Sequence, residues 1–231
     1  MEQIYTIPVN EAFDKVAEDP TCGCPLCMLY KKLQEDELDI ILGASMMEPD
    51  IRMRTNEEGF CLTHYDMMLV RKRMLGMGLI LESHLEEVKK RISPASLLNK
   101  RSAAVTALSE LEGSCYVCGR INKNLGMMMA TTVYLWETDS AFRGKFSKVG
   151  YFCLPHYRAM IELASKKMHK KVFPDFYDAA HEIEERYIDS LGKDVSWFCK
   201  KFDYRYDEEP WYNSKDSVQR AIKFLSGEIK D

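Results

Sequence analysis

The chain has 231 residues, 46% of them hydrophobic and 29% charged, with a formal net charge of −4. That is enough apolar surface to fold as one large core or as two small ones. With a pI near 5.8, it lacks the concentrated positive charge of a protein that wraps a phosphate backbone. The amino terminus carries Glu2 and no early Lys or Arg, and no apolar run precedes Glu11 and Asp14, so export is not expected. The longest apolar stretch, around Met74 to Leu81, contains Gly76 and Gly78 and is far too short to cross a bilayer. The expected setting is the cytoplasm.

Apolar residues recur at three- and four-residue intervals, and strand-like alternation is absent, which predicts an all-α protein. A first helix is expected after Asn10 as cap, with Phe13, Val16 and Ala17 on one face and a stop at Asp19-Pro20. A second runs from Pro25 to Leu42, buries Leu29, Leu33, Leu38 and Ile41, and ends at Gly43. A short helix from Glu48-Pro49-Asp50 closes at Gly59, and a long one from Cys61 reaches Ile92, where Ser93-Pro94 stops it. After a weaker helix over Ser102 to Leu111, helices follow at Cys118–Glu137, Ser140–Phe146 and Cys153–Lys170. Pro174 opens a long helix towards Cys199 with a break at Gly192; an aromatic, irregular tail precedes a last helix from Ser214 or Asp216.

Within this pattern one motif occurs twice. Cys24-Pro25-Leu26-Cys27 is followed by Gly59-Phe60-Cys61-Leu62-Thr63-His64, and Cys115-Tyr116-Val117-Cys118 by Gly150-Tyr151-Phe152-Cys153-Leu154-Pro155-His156. The offset is 91 residues from Cys24 to Cys115 and 92 from Cys61 to Cys153, so duplication is the economical explanation. Each copy supplies three sulfurs and an imidazole, the donor set of a closed, tetrahedral zinc site. Read in sequence order, the first site is Cys24, Cys27, Cys61 and His64, and the second Cys115, Cys118, Cys153 and His156. About 17 residues of helix lead away by roughly 25 Å, and as many more can return. Each zinc would tie two helix beginnings together, where their partial positive charge favours thiolates. The expectation is two zinc ions per chain. Iron–sulfur ligation is less favoured, because histidine completes both sets.

Cys22 has no counterpart in the second copy, where Gly113 stands, and reads as an auxiliary free thiol beside the first site. Cys199, between Trp197-Phe198 and Lys200, reads as a small buried hydrophobe. His181-Glu182-Ile183-Glu184-Glu185 lacks the second histidine of a metalloprotease helix and reads as a charged helix surface. No phosphate-binding glycine loop or nucleophile elbow is present. The methionines, Met127-Met128-Met129 among them, read as core filling. In the tail, Asp203, Arg205, Trp211, Asn213 and Lys215 place fixed polar groups among aromatics, a pattern suited to a recognition surface, although Trp211 pinning the tail to the bundle is an equal alternative.

The Cys-Pro-Leu-Cys opening, the Met-Glu-Pro-Asp-Ile-Arg segment, the Gly-Phe-Cys-Leu-Thr-His pair and the Lys201–Trp211 tail resemble a bacterial family, domain of unknown function 6062. The resemblance implies a cytoplasmic bacterial protein with paired Cys and His motifs and brings no activity with it. The combined expectation is two duplicated zinc-tied helical units, divided at 1–100 and 101–172, with a C-terminal helix and tail over 173–231. The function expected is a non-catalytic module whose partner is a protein rather than nucleic acid or a membrane. The alternatives are a redox- or zinc-responsive switch and an enzyme with a pocket between the halves.

Overall fold

The computed structural model describes residues 5–43, 47–92 and 100–228. Among these the protein has eleven α-helices and no strand. In chain order they are α1 (Thr6–Glu18), α2 (Pro25–Ile41), α3 (Pro49–Glu58), α4 (Leu62–Val70), α5 (Met74–Ile92) and α6 (Lys100–Glu112). There follow α7 (Tyr116–Thr138), α8 (Ser140–Phe146), α9 (Leu154–Lys167), α10 (Phe173–Lys200) and α11 (Ser217–Ser226). None of the described helices is long and apolar enough to cross a membrane. The series α1 to α5 recurs in outline as α6 to α10, the structural counterpart of the duplicated motif.

Three elements differ from their sequence-based outlines. α1 starts four residues before Asn10, whose amide donates to the Thr6 carbonyl at 3.0 Å inside the helix instead of capping it. The long helix expected from Cys61 is two helices, α4 and α5, broken where Lys72 takes the left-handed conformation at φ 56°. The basic triplet holds that turn against α2: Arg71 Nε donates to Asp39 Oδ1 at 3.3 Å, and Arg73 to the Asp39 carbonyl at 3.5 Å. Gly192 does not interrupt α10, which is continuous for 28 residues; packing of Phe176, Ala180, Ile183 and Leu191 along one face outweighs the cost of about 1 kcal/mol for a helical glycine. The expected stop at Ser93-Pro94 lies outside the described residues.

The helices form two compact units, and neither is continuous in sequence. One comprises Met1–Lys31 and Leu125–Ile229, the other Lys32–Asn124. The division expected from the sequence, at residues 100 and 172, partitions the chain differently. The boundaries fall inside α2 and α7, so each of these helices begins in one unit and continues into the other. Each unit therefore combines the opening helix and CxxC of one copy with the remaining helices of the other copy.

In the unit built on Leu125–Ile229, α1 packs on α8. Phe13, Phe142, Phe146, Phe152 and Phe176 are fully buried, with ring centroids 4.8 Å apart for Phe13 and Phe142 and 5.3 Å for Phe146 and Phe152. Burial of each such ring contributes on the order of 2–3 kcal/mol. In the unit built on Lys32–Asn124, α3 and α6 pack on α5, over a smaller core that includes Leu38, Met68, Met77, Ile80 and Ile121. A buried Glu37 there accepts from Arg120 Nε at 3.0 Å.

Candidate metal centres

All eight cysteines are free thiols. Six of them gather with two histidines into two clusters, one per unit: Cys24, Cys27, Cys153 and His156, and Cys61, His64, Cys115 and Cys118. The eight ligand candidates read from the sequence are thus all brought into clusters that could hold a metal ion, but the pairing is crossed. The CxxC of each copy meets the CxxH of the other. The sequential pairing fails because α2 carries the chain out of the unit that holds Cys24 and Cys27. The return segment is then spent on α3 packing against α5 and never leads back to the start of α2.

Local structure explains how each side chain is placed. Cys24 and Cys115 stand immediately before α2 and α7, and Cys27 and Cys118 lie in their first turns. Cys61 and Cys153 are the N-caps of α4 and α9, and His64 and His156 lie one turn in. Two helix amino ends therefore converge on each cluster, where their exposed N–H groups favour thiolate charge. In the first unit Gly150 allows this approach, since a Cβ there would stand 2.6 Å from the Pro20 carbonyl oxygen, and Glu184 Oε1 accepts from Phe152 N at 2.8 Å. In the second, the Tyr116 amide donates to the Gly59 carbonyl at 3.0 Å and Ser114 Oγ to the Glu58 carbonyl at 2.6 Å, which sets the Cys115 loop beside Cys61.

The donor atoms fit a tetrahedral ion. Bonds of about 2.3 Å to sulfur and 2.0 Å to nitrogen at tetrahedral angles put donors roughly 3.5–3.8 Å apart. In the first cluster His156 Nδ1 lies 3.7, 3.4 and 3.2 Å from the sulfurs of Cys24, Cys27 and Cys153, and the Cys27 and Cys153 sulfurs are 3.5 Å apart. In the second, His64 Nδ1 lies 3.1, 3.4 and 3.4 Å from Cys61, Cys115 and Cys118, and the Cys61 and Cys118 sulfurs are 3.8 Å apart. These sulfur separations are far beyond a disulfide bond. With Nδ1 directed at the sulfurs, His64 Nε2 faces the Gln34 amide at 3.1 Å, a contact that fixes ring orientation and tautomer.

Burial and charge differ between the clusters. All four ligands of the first are buried, whereas Cys61, Cys115 and Cys118 of the second are half-buried. Burial pushes the Cys24 thiol well up, and hydrogen bonds from Cys153 and Cys24 pull Cys27 well down, so one thiolate is favoured among neighbours that hold their protons. Burial also raises Cys115 and Cys118 and lowers the His64 imidazole, keeping that ring in the neutral form a metal needs.

A family model matches residues 1–231. The chain belongs to the family of unknown function DUF6062. No curated protein and no solved structure matches it. Membership covers the whole chain and leaves activity open.

The remaining sequence candidates are placed outside both clusters. Cys22 Sγ donates to Asp19 Oδ2 at 3.3 Å, and that hydrogen bond raises its thiol above the usual range, which makes it a poor nucleophile. Cys199 is exposed on α10 and is not the buried hydrophobe its neighbours suggested. In the tail, Arg205 pairs with Asp203 at 2.5 Å on the surface, Asn213 donates to Asp194 of α10 at 3.0 Å, and Lys215 is exposed. Trp211 lies against Phe198 and Phe202, with centroids 5.9 and 6.5 Å away, and so pins the tail.

Two residues were missed. Lys201 is buried, and its ammonium donates to the carbonyls of Tyr206, Asp207 and Glu209 at 2.6, 2.9 and 2.7 Å, organising the tail around one charge. Glu184, read as surface, is buried, and burial lifts its carboxyl to about 7. Its position was recoverable: Phe176, Ala180, Glu184 and Leu191 share one helical stripe, which a surface carboxylate would not join.

Proposed function

We propose that this protein is a cytoplasmic, non-catalytic helical module in which two structural zinc ions clamp the interleaved copies and the assembled surface binds a protein partner. The crossed Cys3His sets carry the reading. Each offers four donors, which leaves no position for water or substrate, and each joins segments far apart in sequence. Sulfur-rich sets with one imidazole favour zinc over harder ions. The partner-binding part is supported by the segment from Leu62 to Leu75, which leaves Leu62, Val70, Met74 and Leu75 largely exposed; exposed apolar groups so close together are typical of interaction surfaces. The test uses metal-loaded protein as bait, with Val70→Asp and Leu75→Asp in parallel. Expected is a reproducible partner lost from both variants at unchanged metal content. Capture of nothing, together with turnover of a small metabolite, would overturn the proposal.

A second reading, a redox- or zinc-responsive switch, is favoured by the half-buried state of Cys61, Cys115 and Cys118. It assigns the response to the Lys32–Asn124 unit, which holds those three sulfurs. Mild peroxide would release one metal ion and loosen that unit first; retention of both ions under those conditions rejects it.

A further inference from the structure

A cavity of about 310 Å³ opens beside the first metal cluster, within one unit, between α9, α10 and α11. Its walls include Leu154 and Tyr157 of α9, His181, Glu184 and Ile188 of α10, and Phe224 of α11. They are mainly apolar. Among the polar lining residues Glu184 is the buried one, only 4% exposed. Its Oε1 accepts from the Phe152 amide at 2.8 Å, but its buried Oε2 has no hydrogen-bond partner. An unpaired buried carboxylate oxygen is costly and uncommon in a folded protein. Glu185 and Asp189 add two more carboxylates to the lining, and no lysine or arginine is among the lining residues. Aromatic and aliphatic walls backed by one unsatisfied acceptor, with negative charge at the margin, are the makings of a selective small-ligand pocket.

We infer that this cavity is a binding site for a small organic cation, a primary ammonium carried on a short apolar or aromatic body, with the Glu184 carboxyl turning out of its buried setting so that Oε2 accepts from the ammonium. The body would lie against Leu154, Ile188 and Phe224. The volume, at the lower end for ligand pockets, limits the occupant to a compact amine. A carboxylate ligand would meet three acidic groups and neither lysine nor arginine. A neutral alcohol of the same shape would fill the space and supply one uncharged donor, a weaker partner for a carboxylate than an ammonium. The Glu184 carboxyl, raised to about 7 by burial, fits a group that lacks the counter-charge its ionised form requires. The site is independent of the partner-binding surface proposed above, which lies in the other unit.

The test is titration of the full metal-loaded chain with phenethylamine, 2-phenylethanol and phenylacetate at pH 7.5, followed by calorimetry and by amide chemical shifts. Expected is saturable one-site binding of the amine, about tenfold or more tighter than the alcohol, with no binding of phenylacetate. Glu184→Gln keeps an oxygen for the Phe152 amide and should erase the preference for the amine. Ile188→Trp, at the half-exposed mouth, should weaken amine and alcohol alike while leaving metal content unchanged. Should Glu184→Gln prove poorly folded, the Ile188→Trp result and the amine-to-alcohol ratio decide the matter. Equal binding of amine and alcohol, absence of amine binding, or amine binding indifferent to Ile188→Trp overturns the assignment.

Discussion

The crossed pairing of the ligands makes a stoichiometric prediction that sequential pairing reverses. Replacing one sulfur by oxygen should disable the site that contains it, so double substitutions report which cysteines share an ion. Cys27 and Cys153 lie in one cluster, whereas Cys27 and Cys61 lie in different ones. The chain carrying Cys27→Ser and Cys153→Ser should therefore retain one metal ion, and the chain carrying Cys27→Ser and Cys61→Ser none. The stability change follows from the loop each ion closes. Linking Cys27 to Cys153 spans 126 residues, a constraint on the unfolded chain of about 5 kcal/mol. Sequential pairing of Cys27 with Cys61, 61 − 27 = 34 residues, would impose about 4 kcal/mol. Loss of the crossed clamp should lower the melting temperature by about 10–20 °C. Elemental analysis of the two double variants, purified without added metal, is the assay. One retained ion in the Cys27→Ser, Cys61→Ser chain and none in the Cys27→Ser, Cys153→Ser chain would refute the crossed arrangement and the exchange of opening helices with it.

Four further outcomes are expected. Glu184 titrates at about 7 in the folded chain against 4.5 as its reference; between those values the folded state holds a proton that the unfolded state has lost, so stability falls as pH rises through that window, by on the order of 3 kcal/mol in full above it. The difference in unfolding free energy between Glu184→Gln and the parent should shift by that amount in favour of the variant from pH 5 to pH 8, and parallel pH curves would contradict the assignment. Lys201→Met removes three charge-assisted bonds and should cost about 2–4 kcal/mol, read as faster amide exchange over residues 202–213; unchanged protection there would mean the ammonium does not organise the tail. Gly150→Ala should destabilise the first cluster by about 1–3 kcal/mol, because the new Cβ would stand 2.6 Å from the Pro20 carbonyl oxygen, and metal release at lower chelator concentration is the readout. In metal-loaded protein an aromatic disulfide reagent should modify Cys199 first and Cys22 more slowly, since Asp19 holds the Cys22 proton; a third rapidly reacting thiol would show that the clusters do not protect their sulfurs.

The helical class, most helix boundaries and the eight Cys and His residues that gather into the two clusters were legible in the sequence, because each depends on local signals. Three-and-four spacing marks the buried face of α10, Asp19-Pro20 ends α1, and CxxC or CxxH at a helix start places two donors on one side of a turn. The break at Lys72 was not legible, since it depends on Arg71 and Arg73 reaching Asp39 on another helix. Glu184 was half legible: its stripe is in the sequence, whereas its burial comes from the packing of α9 and α11 against α10. Cys199 misled because flanking Trp197 and Phe198 resemble a buried run, while its exposure depends on which way α10 is turned by the rest of its face. The pairing of the metal ligands could not be read at all. Duplication gives both copies the same donors at the same spacing, so sequential and crossed sets are chemically identical. The choice between them was decided only in the tertiary structure, where α2 and α7 run on from one compact unit into the other and separate each CxxC from the CxxH that follows it in the chain.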